Sequence, residues 1–153
     1  MKRKTKWKNA ITLKGEEILL YLIKIKMDKK IISTGAILGM IAIILGAFGA
    51  HALKKVLSIE QLATFETGVR YQMYHALFLL FIGLLGMISE KTKKTIYSLV
   101  LSGVFLFSGS IYLLATNDLT SFDFKVIGFV TPIGGLLLIL AWGILLLNLT
   151  KKK

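Results

Sequence analysis

His51, Glu66, Arg70, Tyr71, Tyr74 and His75 all fall between positions 51 and 75, and their types and spacing are the ones in this chain best suited to chemistry. An imidazole moves a proton near neutral pH or ligates a metal through a ring nitrogen. A guanidinium offers a planar fork to a carboxylate or phosphate, which an ammonium does not reproduce. The arginine is notable because, of 20 Lys and Arg residues, only Arg3 and Arg70 are arginines. Glu66 and Arg70 stand at i,i+4 in the favourable order for a helical ion pair, and lipid phosphate is a second candidate partner for Arg70. The two histidines admit three readings. They can hydrogen-bond helices together, bind haem or a metal for which no third ligand is evident, or handle a proton or solute inside a membrane. His51, Arg70, Tyr74 and His75 are expected to converge at one mouth of a helix bundle.

The elements that must position them are apolar runs. The chain has 153 residues, enough for one domain, with 55% hydrophobic residues, 18% charged residues and a mean hydropathy of +0.71. A soluble domain carries about 25% charged residues. Four runs, 31–52, 70–88, 96–115 and 126–147, lack Asp, Glu and Lys in their interiors, and about 20 apolar residues suffice to cross a bilayer core. The runs are continuous rather than alternating, so they read as helices with all backbone groups satisfied internally. The predicted fold class is all-α: a four-helix transmembrane bundle with a short amphipathic interfacial helix between spans one and two.

A net charge of +12 raises nucleic acid as a partner. The lysines lie outside the apolar runs, where topology signals belong, so the expected partner is the lipid bilayer, with a homo-oligomer or a second membrane protein as further options. With no cysteine, disulfides, thiolate metal sites and cysteine nucleophiles are excluded. The chain carries no nucleophile elbow, P-loop, dinucleotide fingerprint or zinc-protease motif. It therefore reads as a non-enzyme, with no cofactor and no metal ligands assigned.

Basic residues orient the spans. The N-terminal segment holds Lys2, Arg3, Lys4, Lys6, Lys8, Lys14, Lys24, Lys26, Lys29 and Lys30, the loop after span two holds Lys91, Lys93 and Lys94, and the end holds Lys151, Lys152 and Lys153. With an even number of spans these lie on one side, which the positive-inside rule makes cytoplasmic. Lys54, Lys55, Arg70 and Lys125 lie on the other. Residues 1–26 read as a basic cytoplasmic tail, mobile or else upstream of a true start at Met27, and 27–150 as the membrane domain. Ala50-His51-Ala52 matches a signal-peptide cleavage pattern, but its apolar region is too long and Gly-rich.

Gly35, Gly39, Ala42, Gly46 and Gly49 form one smooth stripe that lets another backbone approach. The expected use is packing inside the bundle, with Gly83 and Gly86 opposite; a homodimer face is the alternative. Pro132 inside span four should kink it, with Thr131 satisfying the freed carbonyl. Ser108, Gly109 and Ser110 make a mildly polar notch, and Trp142 suits an interfacial anchor.

Between spans one and two, Ser58 and Gln61 make a capping box, with Leu57 and Leu62 at the staple positions. Leu62, Phe65, Val69 and Met73 recur as one apolar face, and Gly68 is a natural bend between the surface helix and span two. Tyr71 and Tyr74 fall in the aromatic belt. Counting back from Ser89, span two begins near Arg70, which sets His75 about 7 Å inside the outer boundary.

The segments GAFGAHALKK and LATFETGVRYQMYHAL resemble the small membrane proteins grouped as domain-of-unknown-function family 423, of which animal transmembrane protein 256 looks like a distant relative. The resemblance runs from about Met27 to Leu147. It implies a multi-pass plasma-membrane protein in a bacterium and carries no established activity. The family motif would fall on Gly46, Gly49, His51, Phe65, Gly68, Tyr71, Tyr74 and His75. The segment before Met27 is a departure, since members of the family generally lack it.

Overall fold

The computed structural model describes the backbone of residues 2–150 and the side chains of residues 15–20 and 22–150. Four α-helices make the chain: α1 Lys2–His51, α2 Ile59–Leu84, α3 Glu90–Ala115 and α4 Val130–Thr150. Short 3-10 turns at Leu53–Lys55, Asn117–Leu119 and Phe124–Ile127 complete the connections, and the described residues contain no strand. The result is an all-α membrane bundle. Three segments, Gly15–Lys55, Glu90–Ala115 and Phe124–Thr150, are long and apolar enough to cross a bilayer. At 26 residues α2 is also long enough, about 39 Å, but Glu60, Glu66, Arg70, Gln72 and His75 dilute its apolar character.

Packing joins α1 to α2, α2 to α3 and α3 to α4, with a smaller contact of α1 on α3. α2 and α3 are thus the central pair, and α1 and α4 flank it. The main core cluster gathers Ile31, Phe78, Leu79, Ile82, Ile96, Val100, Val104, Leu138, Ala141 and Leu145 from all four helices. A second cluster, Leu53, Leu57, Phe65 and Ala115, closes the other end.

The glycine stripe is used within the chain. A Cβ added at Gly35 would lie 2.8 Å from the Ala76 carbonyl oxygen. Gly49 meets Phe65, Gly46 meets Val69, and Gly39 meets Ala76 and Met73. Neither Gly83 nor Gly86 faces the stripe: Gly83 sits against Ile32 of α1, and Gly86 has nothing within 4 Å of an added Cβ.

Several local expectations are corrected. α2 runs unbroken through Gly68, so the amphipathic segment and span two are one helix. Gly68 is needed for proximity rather than bending, since a Cβ there would lie 2.7 Å from the Tyr112 ring. α2 ends at Leu84, because Leu85 turns to an extended conformation, and the capped start of α3 at Ser89 follows. Lys91, Lys93 and Lys94 therefore belong to the first turns of α3, not to a loop. Pro132 is the third residue of α4, in the first turn, where a missing N–H deprives no carbonyl of its helical partner. It kinks nothing, and the Thr131 hydroxyl instead meets the Ser110 hydroxyl at 2.7 Å. α1 passes through Met27 without interruption. The side chains of Lys2, Arg3, Lys4, Lys6, Lys8 and Lys14, and the residues Lys151, Lys152 and Lys153, lie outside the described set, so the orientation expected from them is not addressed by the fold.

Candidate functional site

The capping box at the start of α2 forms as read. Gln61 N–H donates to Ser58 Oγ at 3.2 Å, and Ser58 N–H donates to Gln61 Oε1 at 2.9 Å. Gln61 then uses its Nε2 to donate to Asp118 at 2.7 Å, tying this end of α2 to the connection between α3 and α4. Leu57 and Leu62 join the same apolar cluster.

His51, Arg70, Tyr74 and His75 do not converge at one mouth of the bundle. The α1–α2 register, fixed by the glycine contacts, sets His75 level with Met40. His51 lies about 11 residues further along α1, or about 16 Å, so the two histidines cannot share a metal or haem. His51 is exposed at the end of α1. Glu66 and Arg70 do not pair; Arg70 instead donates to the Thr67 hydroxyl at 3.2 Å, reaching back towards the start of α2. Both flank a groove of about 240 Å³ with Gly46, Gly49, Phe65 and Val69. Tyr74 is 55% exposed. Its ring lies 5.9 Å from that of Tyr71, which also packs on Phe107 at 4.8 Å.

His75 is deeper than expected. With α2 ending at Leu84 rather than 88, a span of about 20 residues begins near Phe65, which puts His75 at its middle. It shares a cavity with Leu138 and Ile139, near the middle of α4, and with Phe107 and Gly135, which lie nearer the α3–α4 connection. The imidazole is 5% exposed. Its Nδ1 lies 2.8 Å from the Tyr71 carbonyl oxygen, an atom that only accepts, so Nδ1 carries the hydrogen. Nε2 is buried with no partner among the described residues.

Two polar ties escaped the sequence. Gln72 donates to the Leu38 carbonyl at 2.9 Å and accepts from the Tyr112 hydroxyl at 3.0 Å, joining α1, α2 and α3. At the other end Lys93, fully buried, pairs with Asp28 of α1 and donates to the Gly83 carbonyl at 3.3 Å. Beside this pair, Thr34 and Tyr97 share a hydrogen bond of 3.2 Å, and Lys30 sits 5.1 Å from the Tyr97 ring centre. Charges flanking a span read as topology signals, and a partner 65 residues away leaves no local pattern. Trp142, expected as an interfacial anchor, instead stacks on Phe78 with centroids 4.1 Å apart.

The family model described as "Protein of unknown function (DUF423)" matches residues 45–135, more than half of the chain. The chain belongs to this family. DUF423 relatives include the UPF0382 membrane protein SSP2132 of Staphylococcus saprophyticus, 39% identical over 123 residues, which covers 80% of this chain and 98% of the relative. The UPF0382 membrane protein YwdK of Bacillus subtilis is 37% identical over 116 residues, 74% of this chain and 90% of the relative. The UPF0382 inner membrane protein YgdD of Escherichia coli is 36% identical over 121 residues, 77% of this chain and 87% of the relative. No solved structure matches. This DUF423 chain is thus a membrane protein of a family without an assigned activity.

Proposed function

We propose that this DUF423 protein is a four-span protein of the bacterial plasma membrane with both termini cytoplasmic, and that its outer end is a non-catalytic structural and partner-binding element. One observation carries the second part: the polar side chains of that end divide into two sets. Gln61, Gln72, Tyr112 and Asp118 are spent on ties between helices and connections. Glu66 and Arg70 are exposed beside a groove between α1 and α2 and make no ion pair with each other. An exposed carboxylate and guanidinium one helical turn apart suit a zwitterionic headgroup or a polar segment of another membrane protein.

Multi-pass topology is supported by the length of α2 and its packing between α1 and α3. The basic residues support the orientation, with Lys24, Lys26, Lys29, Lys30, Lys91, Lys93 and Lys94 at one end against Lys54, Lys55 and Lys125 at the other. A relative named as an inner membrane protein fits the same location. Transport through the outer junction is less well supported, because Arg70 and His75 line separate cavities.

The absence of native cysteine makes the test direct. In intact cells, Ser121→Cys should react with a membrane-impermeant maleimide, and Met87→Cys should react only after lysis. The reverse pattern would refute the orientation. A photo-crosslinking residue at Glu66 should capture a discrete lipid or protein adduct that is lost on Arg70→Ala; absence of any adduct would remove the partner-binding role.

A further inference from the structure

The groove that holds Glu66 and Arg70 is the polar end of a longer seam. On α2, Glu66, Arg70, Met73, Leu77 and Leu80 recur at spacings of four and three, which sets them on one face of the helix. The first two border the groove of about 240 Å³ with Gly46 and Gly49 of α1. The other three border a second hollow of about 420 Å³ between the same two helices, whose α1 wall includes Ala36, Met40 and Ile43. Met40 is 56% exposed, Ile43 66% and Leu77 56%, so this deeper hollow is open at its side, towards the lipid. Its lining is apolar throughout. The seam thus has the polarity of a phospholipid: charged at the membrane boundary and apolar below it.

The two charges are left open. Among the described residues neither belongs to an ion pair, and Arg70 spends one of its five N–H donors on the Thr67 hydroxyl. That hydroxyl donates in turn to the Ala63 carbonyl at 3.0 Å, so the guanidinium rests on a group that is itself anchored to the helix. Helical side chains lean towards the helix N-terminus, which for α2 is the end at the boundary, so both charges reach for the headgroup layer. They do so in a fixed order, since Glu66 lies about 6 Å nearer the surface than Arg70 along the helix. A phospholipid headgroup carries its phosphate next to the glycerol and any second charge at its free end. With a tail along the deeper hollow, the phosphate comes level with Arg70 and the free end with Glu66. A guanidinium takes phosphate oxygens through its planar fork. A carboxylate selects a cation at the free end, and favours one with N–H hydrogens, because a charge-assisted hydrogen bond adds to the attraction. A headgroup with a phosphate and no cation would satisfy Arg70 and be repelled by Glu66.

We propose that the α1–α2 seam binds an aminophospholipid, with its phosphate on Arg70, its terminal ammonium on Glu66 and a tail along Met40, Met73 and Leu77. The proposal rests on the reading of this end as partner-binding and names the partner as a lipid.

The test uses the full chain in nanodiscs of phosphatidylethanolamine, phosphatidylcholine and phosphatidylglycerol in equal parts with identical tails. A photo-crosslinking residue replaces Ala47, which is exposed and one turn from Ile43. The contacts of Gly46 with Val69 and of Gly49 with Phe65 set it level with the two charges, which stay in place. Adducts are sorted by headgroup in a mass spectrometer. Enrichment of phosphatidylethanolamine by about fivefold over each of the other lipids is expected, the discrimination of one exposed ion pair at its upper range. Glu66→Gln should erase that enrichment and Arg70→Gln should lower it. Both side chains are exposed, so neither substitution removes a core contact. Free phosphoethanolamine in excess should not displace the lipid, because it lacks the tail. Equal capture of the three lipids, enrichment that survives Glu66→Gln or is unchanged by Arg70→Gln, or displacement by phosphoethanolamine would each overturn the proposal. The same probe used in cells separates this failure from that of the broader reading. A discrete protein adduct there, with no headgroup selection in nanodiscs, would overturn the lipid and leave a partner-binding end; no discrete adduct and no selection would remove both.

Discussion

Gln72 carries a structural role out of proportion to its place between two tyrosines. Its amide is 4% exposed and bonds a carbonyl of α1 and a hydroxyl of α3. Membrane hydrogen bonds of this kind contribute about 0.6–2 kcal/mol each. Gln72→Leu should therefore lower the melting temperature in detergent by the equivalent of about 1–2 kcal/mol, and Tyr112→Phe should add little to it, because the shared bond is already gone. Full additivity of the two would contradict the tie. Asp28 and Lys93 make a starker case. Removing one partner of a buried pair leaves an uncompensated charge, at a cost of about 3–5 kcal/mol. Asp28→Asn should destabilise by that order, and Asp28→Asn with Lys93→Met should recover much of the loss. A double variant no better than Asp28→Asn alone would show that the pair is not the cause. Neither Gln72 nor the Asp28–Lys93 pair is legible in sequence, because each is defined by helices brought together only in the fold.

At the scale of elements much more is legible. The capping box at Ser58, the C-terminal ends of α1 and α3 and the smooth face of α1 follow from local pattern: a side chain that caps a helix sits three residues from its target, and glycines at helical spacing share a face. Where local pattern failed, it failed over boundaries. Pro132 reads as a kink when α4 is started four residues early, and His75 reads as interfacial when α2 is extended to 88. Such shifts are small along the chain and large in depth, at 1.5 Å per residue. The glycine contacts yield a graded prediction. Gly35→Ala forces a methyl to within 2.8 Å of a backbone oxygen and should cost about 1–3 kcal/mol. Gly46→Ala meets only Val69 at an ordinary 3.5 Å and should be neutral or slightly stabilising, since alanine favours helix by about 1 kcal/mol over glycine. Melting curves of the two variants check the ranking. If the stripe served a dimer instead, both would change the oligomeric mass and leave the monomer's melting alone.

The whole molecule is a central α2–α3 pair with α1 and α4 on its flanks. That arrangement gives α1 a definite point at which it begins to matter. Met27 packs on the main core, Asp28 pairs with Lys93 and Ile31 is fully buried. Before that point Ile18, Leu19, Leu20, Leu22 and Ile23 are each about half exposed or more. A chain starting at Met27 should therefore melt at the same temperature as the full chain, whereas one starting at Lys30 should lose the stabilisation of the Asp28 pair. Thermal unfolding of the two truncations in one detergent decides it, and a lower melting point for the Met27 chain would assign the preceding residues a part in the fold.

Lys93 also has a history as well as a place. Under the proposed orientation its charge counts, while the protein is being made, among those that keep the α2–α3 turn on the cytoplasmic side. Asp28 has by then already entered with α1 and must wait for a lysine synthesised 65 residues later. Once α3 docks, that charge is neutralised. The same ammonium is thus an address during biosynthesis and a clasp afterwards, and the order of events is set by the order of the chain: the clasp on Asp28 cannot close until α3 has followed α1 and α2 into the membrane.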